Sequence, residues 1–282
     1  MITISPVRSS PLAGTWYEAD PQSLARTVDN YLEQAELPNL PGEVIAVVAP
    51  HAGLLYSGAV AGYSFATLRG TTPERVAIIS PMHHLYNQPL LTSAHSAYQT
   101  PLGDVPVDAE SVARLDACLY DKLGFGLTPI ANDPEHAVEI ELPFLQRVVK
   151  SDFQLLPVMM RSQTPQVARA MGAALAETLH NKNALLVAST DLSHFYTQQI
   201  ARQLDTAILA QVEAFSPEGV FEVEQSGRGE ACGIGALAAV LWAAHALGAN
   251  TVKLLRHATS GDVTGDFRRV VGYGAAVILK TK

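Results

Sequence analysis

The chain has 282 residues, 48% of them hydrophobic and 16% charged, with a formal net charge of −8. Acids and bases are scattered rather than blocked, which excludes the clustered basic face that nucleic acid binding needs, and no stretch approaches the ~20 apolar residues that cross a bilayer. The opening MITISPVRSSPLAGTWYEAD lacks the basic-then-apolar layout of a secretory signal, and the only two cysteines, Cys118 and Cys232, lie too far apart in sequence to suggest a disulfide framework, so a reducing cytoplasm is expected.

In chain order, helical periodicity over residues 21–34 gives way to an apolar strand at 44–49, a helix at 58–68 and a strand at 76–80. Residues 87–108 break the alternation and have room for a small hairpin. The pattern then resumes with helices at 109–117 and 138–149, a strand at 153–158, a helix at 165–180 and a strand at 184–189. Helices at 197–215 and 234–247 and strands at 252–256 and 270–279 complete it. Near-continuous apolar strands separated by helices predict an α/β fold with a mostly parallel or mixed central sheet sandwiched by helices. Repeats, low-complexity tracts and linkers are absent, so one domain over 1–282 is the economical reading.

In open α/β sheets, ligands bind beyond the carboxyl ends of the strands. The first strand runs into AVVAPHAGLLYSG and delivers His51, the second into ISPMHH and delivers His83 and His84, and the fourth into ASTDLSHF and delivers Asp191 and His194. Three of the first four strands end in histidine, although the chain holds only nine. Each residue also has a structural explanation. His51 could be a loop histidine bonded to backbone, and Asp191 could cap a helix with His194 in its first turn. If the chain is extended, His83 and His84 point to opposite sides, so at most one of them enters a site. Structural roles taken singly do not explain why histidines gather at one edge of the sheet, and a polar site there is the expectation.

Two further stretches can contribute. In GRGEACGIGALAAV, Cys232 sits just ahead of a very apolar helix, where the helix terminus is expected to favour thiolate, the form that binds metal or attacks a substrate. A small residue packed where the helix enters the core is the other reading. Cys118, in SVARLDACLY, has no histidine nearby and is assigned to the core. In NDPEHAVEIELPF, His136 and Glu139 are expected to share one helix face, either binding metal or holding another ligand from behind. Tyr56 and Tyr196 lie close in sequence to the histidines and could touch substrate or pack in the core. Histidines with a thiolate or carboxylate suit a mononuclear iron(II) or zinc centre. His-Glu-x-x-His, Cys-x-x-Cys and a P-loop are all missing, against a zinc protease, a redox dithiol and a P-loop NTPase.

RSSPLAGTWYEAD, VIAVVAPHAGLLYSG, ISPMHH, QTPLGDVPVD, DPEHAVEIELPFLQ, ASTDLSHF and ACGIG together resemble the Memo family, in particular its prokaryotic members called AmmeMemoRadiSam system protein B. That family is similar in fold to the catalytic subunit of extradiol dioxygenases of the protocatechuate 4,5-dioxygenase type. The resemblance implies His51, His83 and Cys232 as a metal-binding set, His194 as catalytic acid/base with Asp191 beside it, and His84, His136, Glu139 and Tyr56 as supporting or substrate-contacting residues. Iron(II) is the metal it implies first, with copper or zinc also compatible. It implies either an oxidoreductase acting on a small metal-chelating substrate or a metal- or peptide-binding adaptor on a retired scaffold. It also implies association with a radical SAM enzyme and a second co-encoded protein. A cysteine-nucleophile hydrolase pairing Cys232 with His194 is a third expectation.

Overall fold

The computed structural model describes residues 5–281, so positions 1–4 and 282 of the expected span lie outside the described residues. Its main sheet has nine strands: β2 (Glu43–Ala49), β3 (Arg75–Pro81), β4 (Leu90–Ser93), β7 (Thr128–Ile130), β8 (Gln154–Met160), β9 (Ala184–Ser189), β10 (His194–Tyr196), β11 (Thr251–Thr259) and β12 (Val270–Lys280). The order is β10-β12-β2-β9-β3-β8-β4-β7, with β11 also paired to β12. The centre, β2-β9-β3-β8, is all parallel, whereas β12 joins β2, and β4 joins β8, antiparallel. The predicted hairpin region instead holds β4 and a small separate sheet in which β5 (Ala97–Thr100) and β6 (Gly103–Pro106) form a hairpin. β1 (Val7–Arg8) joins β5 in that sheet.

Alternate residues of each central strand feed opposite layers, as the strand repeat of two requires. Ala46, Val48, Ala77, Ile79, Leu186 and Ala188 pack with α3 (Ala109–Leu123), α5 (Pro165–Leu179), α6 (Gln198–Glu213), α7 (Pro217–Gln225) and α8 (Ile234–Ala246). Their neighbours Val47, Ala49, Val76, Ile78, Leu185 and Val187 pack with α1 (Pro21–Gln34), α2 (Leu54–Ala66) and α4 (Leu142–Val148). Helix α8 is apolar all round and correspondingly buried, and Cys118 is buried on α3. Helices α1, α3, α5 and α7 start on side-chain caps, with Asp20, Asp108, Thr164 and Ser216 each accepting an N–H three residues on.

Some boundaries depart from expectation. Helix α2 begins at Leu54, capped by Gly53, rather than at 58. The helix expected over 138–149 is a 3-10 turn, Glu139–Glu141, followed by α4. Pro143 fits the first turn of α4, where its missing N–H costs nothing. Helix α7 and the short strands β1, β7 and β10 were not anticipated; at two or three residues, those strands are too short to show a period. No helix among the described residues is long and apolar enough to cross a membrane.

Candidate metal centre

His51 lies two residues beyond β2, His83 two beyond β3, and Ser189 ends β9, which runs between them. Parallel neighbours about 4.8 Å apart thus bring their carboxyl ends to one edge. His136 joins them from the loop after β7. The ligand nitrogens of His51, His83 and His136 all lie within 4.8 Å of one another. The His83 and His136 rings are stacked at 4.5 Å, and His51 meets both edge-on at 5.1 and 5.3 Å.

The hydrogen bonds behind these rings fix their tautomers. His83 Nδ1 lies 2.9 Å from Glu135 Oε1, and His136 Nδ1 lies 3.3 Å from the same oxygen. Glu135 also accepts the backbone N–H groups of His83, His136 and Ala137. Burial pushes the Glu135 carboxyl up, but its bonds and charge interactions with His83 and His136 outweigh that and hold it at about 2. An ionised carboxylate can only accept, so His83 Nδ1 donates to Glu135 and its Nε2 turns toward the shared point, whereas His136 Nδ1 makes a close charge contact with the same oxygen.

His51 is set by a different chain. Its Nδ1 lies 2.9 Å from Ser189 Oγ, which donates to Ala137 O at 2.7 Å and lies 2.8 Å from Glu141 Oε1. Burial raises Glu141 far above the carboxylate range, with Asp191 adding to the rise. Ser189 has one proton to share between two acceptors, Ala137 O and Glu141 Oε1, so its oxygen is left to accept from His51 Nδ1–H, and the Nε2 side of His51 faces the site. Burial, then neighbouring imidazoles, lower the His51 pKa well below 6.5; burial lowers His136 to about 4 against the pull of Glu135. Three imidazoles converging on one point, with His51 and His136 held toward their neutral forms, are a donor set that fits a divalent metal.

Cys232 stands beside this set. Its Sγ is 3.2 Å from His51 Nε2 and accepts the Asp191 N–H at 3.3 Å. The turn is held against β9 by Gly233, whose N–H donates to Thr190 Oγ1 at 2.9 Å; a Cβ at Gly233 would come 2.8 Å from Ser189 O. The expected thiolate is not what this position favours by itself. Burial, then the Asp191 charge, raise the thiol, and the bonds from Asp191 N–H and Thr190 do not offset them. Cys232 precedes the Gly233 cap of α8, and desolvation outweighs any pull from the helix terminus.

The other predicted residues are distributed as follows. Asp191 does not cap a helix and does not orient His194. It accepts the His51 backbone N–H at 2.8 Å, and burial raises it to about 7 despite bonds from the His51 and Ala52 backbone. His194 opens β10, with Glu230 Oε1 at 3.7 Å from its Nδ1. Burial lowers its pKa, with Glu230 opposing. Glu139 shares no helix face with His136, which precedes the 3-10 turn. Its carboxylate is buried, accepting from Tyr17 at 2.6 Å, from Ser10 at 2.5 Å and from Arg8. His84 is exposed and makes no side-chain hydrogen bond among the described residues. Tyr56 lines the cleft, and Tyr196 is exposed beside it.

Sequence reasoning missed Glu135, Ser189, Glu141, Glu230 and Arg8. Arg8 is buried and spends its guanidinium on the loop carrying His136: it donates to Asp133 Oδ1 and Oδ2 at 3.1 Å, to Asp133 O at 3.0 Å, to Glu135 O at 2.7 Å and to Glu139. The signal for Glu135 was its adjacency to His136.

The imidazoles, with Asp191 and His194, floor a cavity of about 810 Å³ whose mouth carries Trp16, Leu55, Tyr56 and Phe195. A family pattern described as Memo-like protein matches residues 8–277. The chain belongs to the Memo family. MEMO1 family proteins of Methanopyrus kandleri and Methanothermobacter thermautotrophicus are 36% and 34% identical to it. These matches cover 97% and 95% of this chain and 99% and 98% of theirs. The uncharacterized protein JW3007 from Escherichia coli K12 is similar in fold, with TM-score 0.53 at 14% identity, over 83% of this chain and 100% of that one. The Memo motifs PHAG, MHH, DPEH and ACG thus meet at one edge of the sheet.

Proposed function

We propose that this cleft is a mononuclear non-heme iron(II) centre supporting dioxygenase-like oxidation of a small metal-chelating substrate. The observation that carries the reading is the convergence of three imidazoles, two of them hydrogen-bonded from behind at Nδ1, on the floor of a cavity open to a small molecule. His51 and His83 would hold the ion, with His136 or the Cys232 sulfur completing the set. Iron(II) bound there would supply Lewis acidity and redox chemistry toward dioxygen, and the same nitrogen and sulfur donors suit copper or zinc.

The chain's own residues supply the proton chemistry. Glu135 accepts from the His83 ring and from the His136 backbone N–H, and Ser189, backed by Glu141, orients His51. His194 is neutral at pH 7, so it accepts a proton from a substrate hydroxyl entering the cleft. Asp191, raised to about 7, can hold or release one on the cavity floor. The aromatic mouth excludes water from that floor once a ligand is seated.

The test is anaerobic iron(II) reconstitution with elemental analysis, followed by oxygen-uptake assays with catechol and other ortho-dihydroxy compounds. His194→Gln should keep its metal and lose turnover. Sub-stoichiometric metal would sink the centre. Full metal with no metal-dependent turnover would leave a binding protein on an enzyme-like scaffold.

A further inference from the structure

The mouth of the cleft holds a cation with no carboxylate partner among the described residues. Arg269 lines the same cavity as the three histidines, and its guanidinium lies 5.3 Å above the Phe195 ring. Among the described residues it makes no side-chain hydrogen bond and pairs with no carboxylate. The acid nearest in sequence, Asp266, is taken by Arg268, at 2.9 Å to Nε and 2.7 Å to Nη2. The other carboxylate lining the cavity, Asp191, is buried and bonded to the His51 backbone.

Phe195 occupies the mouth against ordinary folding preferences. Its side chain is 61% exposed and its backbone φ is 67°, in the left-handed region that a bulky residue rarely enters. Burial does not explain this conformation, and strain held at a cleft mouth is a pointer to ligand contact. Across the cavity Trp16 lies over His136, ring centroids 4.4 Å apart, so an aromatic wall runs from the imidazoles outward.

We propose that Arg269 and Phe195 form an anion subsite that selects ligands carrying a carboxylate at the end remote from the metal. This rests on the metal-centre reading above. Such a ligand has a chelating end at the imidazoles and a flat apolar body along Trp16. Its carboxylate meets the guanidinium in the planar two-bond geometry that arginine favours. The ring of Phe195 presents the guanidinium while leaving its donor edge open. A cavity of about 810 Å³ accommodates a small molecule of this kind rather than a polymer.

The probes are benzohydroxamate and its 3-carboxy and 4-carboxy derivatives, which share one chelating group and differ in the anion. Protein loaded with zinc(II), a redox-silent ion, is titrated calorimetrically after its metal content is measured. At least one carboxylated probe should bind about tenfold or more tightly than benzohydroxamate, and Arg269→Gln should bring that ratio close to one. Phe195→Leu should shrink the ratio without abolishing it. Equal affinity of all three probes for the unaltered protein, or a ratio that survives Arg269→Gln, overturns the subsite and leaves the metal centre standing. Protein that takes up less than stoichiometric zinc, or that binds no hydroxamate when loaded, overturns the metal-centre reading and the subsite with it.

Discussion

His51 and His83 leave the ends of β2 and β3, the parallel strands that flank β9, whereas His136 sits in an irregular stretch between β7 and the 3-10 turn. The strand-borne pair inherits its position from the backbone ladder: β9 pairs with β2 on one side and β3 on the other, residue against residue, up to the point where the ligands emerge. The loop has no ladder. Its shape is imposed by one buried guanidinium, since Arg8 gathers Asp133, the Glu135 carbonyl and Glu139 around itself. A strand end tolerates change in its surroundings, while a loop held by an ion cluster depends on every member of it.

That contrast orders the expected effects of substitution. Arg8→Met should be the most damaging, because it strands two buried carboxylates. A loss of about 3–5 kcal/mol in urea-denaturation stability is expected, and ring-current shifts of His136 in NMR should move more than those of His51. Glu135→Gln comes next. It supports both His83 and His136, and metal affinity measured by chelator competition should fall by about 10–100-fold. Ser189→Ala removes a ring contact from only one of the three imidazoles, His51, and should cost metal affinity near the lower end of that range; a loss equal to that of Glu135→Gln would erase the distinction between shared and single support.

A pH series sharpens the same comparison. In the metal-free protein His136 resists protonation down to about 4, whereas the unfolded chain's imidazoles protonate near 6.5. Between those values the unfolded state binds more protons, so stability should fall as pH drops from ~6.5 toward ~4. Glu135, ionised down to about 2, extends the fall in the same direction. His136→Gln should flatten the upper part of the slope. The smallest effect is expected from exposed His84→Ala, within about 0.5 kcal/mol in stability and with metal affinity unmoved.

The same contrast accounts for what could be read in the sequence. Apolar runs such as VIAVVA and RVAIIS declare themselves by composition, and a parallel sheet carries their ends to one edge, so the neighbourhood of His51 and His83 was legible. The loop residues carry no period. His136 and Glu139 looked like a helical pair, yet Pro134 before the first and the 3-10 turn at the second separate their roles. Arg8 lies far from that loop in sequence, and nothing in VRSS announces a buried cation. Cys232 was placed near His51 by motif, but its protonation depended on burial and on Asp191, which only three dimensions supply.

Burial pushes Glu141 toward its protonated form, so the lasting negative charge behind the cavity floor is that of Glu135, to which Asp191 adds as it deprotonates around 7. An empty floor therefore repels an acid, and a divalent cation settling there reverses the sign of the potential that the incoming molecule meets. The cleft is thereby biased toward compulsory loading order, ion before anion, and a chelating acid added first should compete for the ion in solution rather than wait for it in the protein.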